Sequence, residues 1–122
     1  MDREKFEQLV ALTIQALPDE FTHRLENIVV VVEDWPSTEQ LHRLGFRHSQ
    51  SLLGLYEGVP LTKRSSHYGL VTPDKITIFQ KPIERKCGQD DTGVADEIAR
   101  VVKHEIAHHF GISDARLKKL DM

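Results

Sequence analysis

An α+β fold is predicted by helical periodicity at both ends of the chain and strand-like runs between them. Phe6, Leu9, Val10, Thr13, Ile14 and Leu17 recur at spacings of three and four, and Val94, Ile98, Val101 and Val102 do the same near the other end. Between them lies Ile28-Val29-Val30-Val31-Val32, a continuous β-branched run.

In chain order, residues 2–17 form an amphipathic helix that stops before Pro18. A short turn over Asp19 to Asn27 leads into the Ile28–Val32 strand, whose unbroken apolar run suits a strand covered on both faces and so the centre of the sheet. Ser37 or Thr38 can cap a short helix or turn that ends at Gly45, and residues 46–51 read as loop. Leu52-Leu53-Gly54-Leu55-Tyr56 reads as a strand containing a glycine, followed by a turn at Glu57-Gly58-Val59-Pro60. Residues 61–73 are polar without a period and read as a long surface loop, a kind of segment that is usually functional or mobile.

Lys75-Ile76-Thr77-Ile78-Phe79-Gln80-Lys81 alternates apolar and polar residues ahead of Pro82, which fits a strand near the sheet edge with one solvated face. An extended peptide could pair with such an edge. Lys75, Lys81 and Pro82 would equally serve only to protect it from aggregation. After a cap at Asp90-Asp91-Thr92 the last long helix runs to Phe110, and Ser113 to Leu120 forms a final short helix.

The chain has 122 residues, which predicts one domain over 1–122 with no room for a second lobe. A hydrophobic content of 39% and a charged content of 29% are ordinary for a soluble globular protein. A net charge of -3 gives no electrostatic case for nucleic acid or an anionic membrane. The charged start Met-Asp-Arg-Glu-Lys-Phe-Glu reads as neither a signal peptide nor a spanning segment, so the expected location is the cytoplasm. Cys87 has no partner for an internal disulfide, which agrees with a reducing compartment. It is expected in a loop, as an ordinary thiol or, alternatively, as a fourth ligand or latency switch.

The chemistry is concentrated in His104-Glu105-Ile106-Ala107-His108-His109-Phe110-Gly111-Ile112-Ser113-Asp114, which reads HExxHxxGxxD. Positions i and i+4 share a helix face, so His104 and His108 can offer imidazole nitrogens to one ion. Glu105, beside the first ligand, can take a proton from a water that zinc acidifies from a pKa of 15.7 to about 7. Gly111 can end the helix in the left-handed conformation and let Asp114 return as a third ligand, leaving the open coordination position of a catalytic site. The same residues also suit a plain helix end, with Ser113 as the next cap and Asp114 as a first-turn acid. The bare HExxH would occur in roughly 3 of 100 shuffled chains of this composition, and the full motif in about 1 in 10,000. The longer motif is therefore the specific signal.

Asp121, close to the terminus, is the other downstream carboxylate. His109 points about 100° away from His108 and is expected to face solvent or support the ligands from behind. Two imidazoles and one carboxylate favour zinc, although Mn, Co or Fe would tolerate the same set. Both imidazoles must be neutral to bind, so metal affinity should fall steeply below about pH 6. Arg64, His67 and Tyr68 are candidate oxyanion donors or ordinary surface groups, and His23, His42 and His48 are expected in solvent.

The chain resembles the small bacterial zincin-like metallopeptidase family in three segments: residues 52–62, residues 73–79 and the motif at 104–114. The resemblance implies a minimal zincin-like fold, in which a small mixed β-sheet carries an N-terminal helix and a C-terminal active-site helix. It also implies His104, His108 and Asp114 as ligands and Glu105 as the general base. In larger relatives of metzincin type a methionine turn floors the site, whereas here only Met122 follows the third ligand. The expected function is a zinc-dependent metallopeptidase acting on peptides or small proteins. The alternatives are a non-catalytic metal-binding interaction or regulatory module, and a hydrolase of non-peptide amides.

Overall fold

The computed structural model describes residues 1–45, 52–58 and 74–110. The expected loops over 46–51 and 61–73 and the expected helix at Ser113–Leu120 lie outside these residues. Among the described residues the elements follow in the order α1 (Arg3–Gln15), α2 (Asp19–Arg24), a 3-10 turn (Leu25–Asn27), β1 (Ile28–Glu33), α3 (Thr38–Leu44), β2 (Gly54–Glu57), β3 (Asp74–Phe79), α4 (Gln80–Cys87) and α5 (Asp91–Phe110).

Helix starts follow side-chain chemistry. The Asp2 carboxylate accepts from the Lys5 N–H at 2.7 Å and caps α1. Ser37 and Gln40 form a reciprocal capping box on α3, which ends at Gly45 with φ of 75°. Asp90 accepts from the Gly93 N–H at 3.0 Å at the start of α5. The segment expected as a turn after Pro18 is instead the helix α2. Its Asp19 and Glu20 lie in the first turn and His23 and Arg24 in the last, both favourable to the helix dipole, while Phe21 is buried.

The sheet is mixed, with β3 between β1 and β2. Strand β1 pairs parallel to β3, from Ile28 opposite Asp74 to Glu33 opposite Phe79, and β2 pairs antiparallel, from Gly54 opposite Ile78 to Glu57 opposite Lys75. This reverses two expectations. The β-branched run Ile28–Val32 forms an edge strand, only half-buried along most of its length with Val29 exposed. The alternating strand is central, and Ile76, Thr77, Ile78 and Phe79 are all buried. Thr77 alternates as a solvent-facing residue would, yet its side chain is enclosed, with no hydrogen-bond partner for its hydroxyl among the described residues.

Ile76 and Ile78 join Phe6, Val10, Phe21, Ile83, Ile98, Val102 and Ile106 in the main core, while Phe79 packs with Leu52 and Leu55 and partly buried Leu41 in a smaller cluster. Helix α5 contacts α1, α2, α4, β2 and β3 and so ties the described elements together. Pro82, expected to close an edge strand, sits in the first turn of α4, where a missing N–H costs nothing. Cys87, expected in a loop, is the last residue of that helix, and its thiol donates to the Ile83 carbonyl at 3.0 Å. No helix among the described residues is long and apolar enough to cross a membrane.

Candidate metal and catalytic site

Two rows of side chains run along the exposed end of α5. Val101, Glu105 and His109, spaced by four, follow β2: Val101 and Glu105 lie against Gly54, and His109 lies against Gly58. The next row, Arg100, His104 and His108, borders a cleft between α5 and β2. His104 and His108 are exposed, and their ring centroids are 4.4 Å apart with planes tilted by 43°.

Register explains how β2 meets Glu105. The Phe79 N–H donates to the Leu53 carbonyl at 3.0 Å, so in an antiparallel pair the backbone groups of Leu55 also face β3 while those of Gly54 and Tyr56 turn outwards. The outward Tyr56 N–H donates to Glu105 Oε1 at 2.9 Å. Burial pushes the Glu105 carboxyl above the ordinary glutamate value, against the opposing pull of the Tyr56 N–H and of the His104 and His108 imidazoles. A carboxylate so placed is a better proton acceptor than one in water.

The cleft beside His108 has a volume of about 470 Å³, and Leu44, Leu52 and Leu55 form its apolar wall. It continues past His104 into a groove of about 260 Å³ lined by Leu52, Leu53, Gly54 and Arg100. The Tyr56 ring stacks on His109 at 3.9 Å and its hydroxyl donates to Asp74 Oδ2 at 2.6 Å, so one residue of β2 braces the end of α5 against β3.

The family model of zincin-like metallopeptidases matches residues 25–122, a span that includes β1, the cleft and the whole of the motif. The chain belongs to this family. No curated protein matches it.

Membership in the zincin-like metallopeptidases supports a hydrolase and implies a metal cofactor, typically zinc. The donor chemistry of this zincin fits such an ion: His104 and His108 offer two adjacent exposed imidazoles, nitrogen donors of the type zinc prefers. Among the described residues no three His, Cys, Asp or Glu side chains are grouped to hold an ion. Asp114, the expected third ligand, lies outside the described residues, as do Asp121, His48, Arg64, His67 and Tyr68.

The structure thus brings together His104, Glu105 and His108. His109, expected in solvent or behind the ligands, is exposed but stacked on Tyr56 at the cleft. His23 sits 3.4 Å from Glu26 on the surface, and His42 is exposed on α3. Cys87 is not among the residues lining the cleft, and burial pushes its thiol up, away from the thiolate that a ligand or switch requires. Sequence reasoning missed Tyr56. A glycine inside a strand signals close backbone approach, and Gly54 was the available pointer to it.

Proposed function

We propose that this zincin-like protein is a zinc-dependent peptidase that holds an extended peptide along the outward edge of β2. The supporting observation is the Glu105 carboxylate, held by a backbone amide of that edge and flanked by His104 and His108. His104 and His108, with Asp114, would hold the ion. Zinc, when bound, supplies Lewis acidity that polarises a carbonyl and acidifies water.

The outward backbone N–H and C=O of Gly54 offer the peptide a point of strand pairing beside Glu105. Because the Ile76–Phe79 strand, where a peptide-binding edge was one of two expectations, is central in the sheet, β2 takes that role in this proposal. The Tyr56 N–H fixes Glu105 through Oε1, which leaves Oε2 to take the proton of the attacking water and pass it to the leaving nitrogen. Leu44, Leu52 and Leu55 would accept an apolar side chain next to the cut.

The test combines metal content with cleavage. Elemental analysis should find about one zinc per chain in the wild type and in Glu105→Gln, and much less in Asp114→Ala. Glutamine can still accept from Tyr56 but cannot act as a base, so peptide cleavage should fall about 10²- to 10⁴-fold. Undiminished cleavage by Glu105→Gln would falsify the mechanism. Zinc retained by a wild type that cleaves no peptide would favour the non-catalytic metal-binding module instead.

A further inference from the structure

Arg100 stands one helical turn before His104 in the row that borders the cleft, and it lines the 260 Å³ groove that continues from the cleft past His104. Its guanidinium is anchored from one side. Nε donates to Glu97 Oε1 at 3.1 Å and Nη2 donates to Glu97 Oε2. Glu97 is a buried residue, so it fixes the guanidinium plane instead of drifting with it. Among the described residues the Nη1 amino group has no partner.

Charge is not balanced there. The single Glu97 carboxylate serves both Arg100 and Lys86, whose Nζ lies 3.0 Å away. One anion shared by two cations leaves the Lys86, Glu97 and Arg100 cluster with a net positive charge, and Arg100 is the member that lines the groove. Leu52, Leu53, Gly54 and Val101 in the groove carry no charge, and the Glu105 carboxylate, held through Oε1 by Tyr56, lies at the His104 end of the groove, one turn from Arg100.

We propose that Arg100 is a specificity-determining residue that binds a carboxylate of the substrate, an inference that rests on the peptidase reading above. One turn of four residues at about 1.5 Å each separates Arg100 from His104 by about 6 Å along the helix. An extended peptide advances about 3.3 Å per residue, so the carboxylate lies about two residues from the cut bond, on one side only. A guanidinium with free donors pairs with a carboxylate in a planar, two-point geometry that a lysine cannot reproduce. The carboxylate is either an Asp or Glu side chain or the free C-terminus of a short peptide.

The experiment is cleavage profiling of zinc-loaded wild type, Arg100→Gln and Arg100→Lys on a synthetic peptide library, prepared with free and with amidated C-termini. Binding of uncut acidic and amide-matched hits to zinc-loaded Glu105→Gln is measured alongside by fluorescence anisotropy. The wild type should enrich Asp and Glu about two positions from the cut on one side, or should require the free terminus. Replacing the acid by its amide should lower kcat/KM by about 10- to 100-fold. The same ratio should appear in binding, shrink with added salt, and vanish in Arg100→Gln, with Arg100→Lys intermediate.

Circular dichroism and zinc content identify any variant that fails to fold, and Arg100→Lys preserves the charge that Glu97 needs. Cleavage by the wild type without an acidic or terminal-carboxylate preference, or with one that survives in Arg100→Gln, overturns the role of Arg100 and leaves the peptidase reading standing. Neither cleavage nor peptide binding by any form overturns both.

Discussion

Gly54 is where residue identity most directly sets the site. A β-carbon there would sit against Val101 Cγ1 closer than real contacts allow and would approach the Thr77 carbonyl at 3.4 Å. Val101 is buried and β-branched, so its side chain cannot rotate clear, and either α5 or β2 must shift. Gly54→Ala should therefore destabilise by about 1–3 kcal/mol and loosen the hold of Tyr56 on Glu105. Gly58 is the control. A β-carbon there meets His109, Asp74 and Tyr56 at ordinary distances of 3.6–3.7 Å, so Gly58→Ala should stay within about 0.5 kcal/mol. Urea midpoints for the two variants check this, and equal midpoints would show that the close approach of β2 to α5 is not required. Residue identity explains less about Tyr56. Its amide does the work of orienting Glu105, and any non-proline residue carries that amide, so only strand register reveals it.

At the scale of elements, Glu97 clamps α4 to α5, accepting from Lys86 on α4 at 3.0 Å and from Arg100 on its own helix. Burial alone would raise the Glu97 carboxyl, but hydrogen bonds from Arg100 and Lys86 outweigh it and hold the group below the ordinary glutamate value. A carboxyl depressed in the folded state contributes stability above its unfolded pKa of about 4.3 and loses that contribution as pH falls through the lower folded value. Stability should thus decline with acid below about pH 4, and Glu97→Gln should flatten that limb while lowering stability at neutral pH. Denaturant titrations between pH 7 and pH 3 test the point; an unchanged acid limb would show that the clamp is energetically silent. Helix α1 was legible from its apolar period, α5 from its period and cap, and α3 from its cap and closing Gly45 alone. Strand order was not, because the β-branched run Ile28–Val32 and the alternation of 75–81 each look like the other's position in a sheet. What decides is the packing of α5 and of the Leu41 cluster over both faces of β3, a tertiary fact that no single strand carries. Helices α2 and α4 were hidden behind Pro18 and Pro82, since proline punctuates a chain whether it ends one element or begins the next.

For the whole molecule, the position of the motif on α5 determines how metal and stability are linked. Val94, Ile98 and Val102 anchor the helix in the core, whereas His104, His108 and Phe110 emerge from it. The emerging end is braced by Tyr56 stacking on His109 and by the Arg24 guanidinium 4.8 Å above the Phe110 ring, contacts that join β2 and α2 to the last turn. An ion held by His104, His108 and Asp114 would add a third brace, linking the helix to the chain beyond it. Because the unfolded chain has no such arrangement, binding energy becomes folding energy, worth about 2.7 kcal/mol at a free zinc concentration 100 times Kd. For a chain of this size that corresponds to a rise in Tm of roughly 10 °C. Calorimetry of wild type and Asp114→Ala, each with zinc and with chelator, should show the rise in the wild type alone. A zinc-dependent rise of equal size in Asp114→Ala would assign the third ligand elsewhere, and no rise in either would separate the helix pair His104 and His108 from any structural role of the ion.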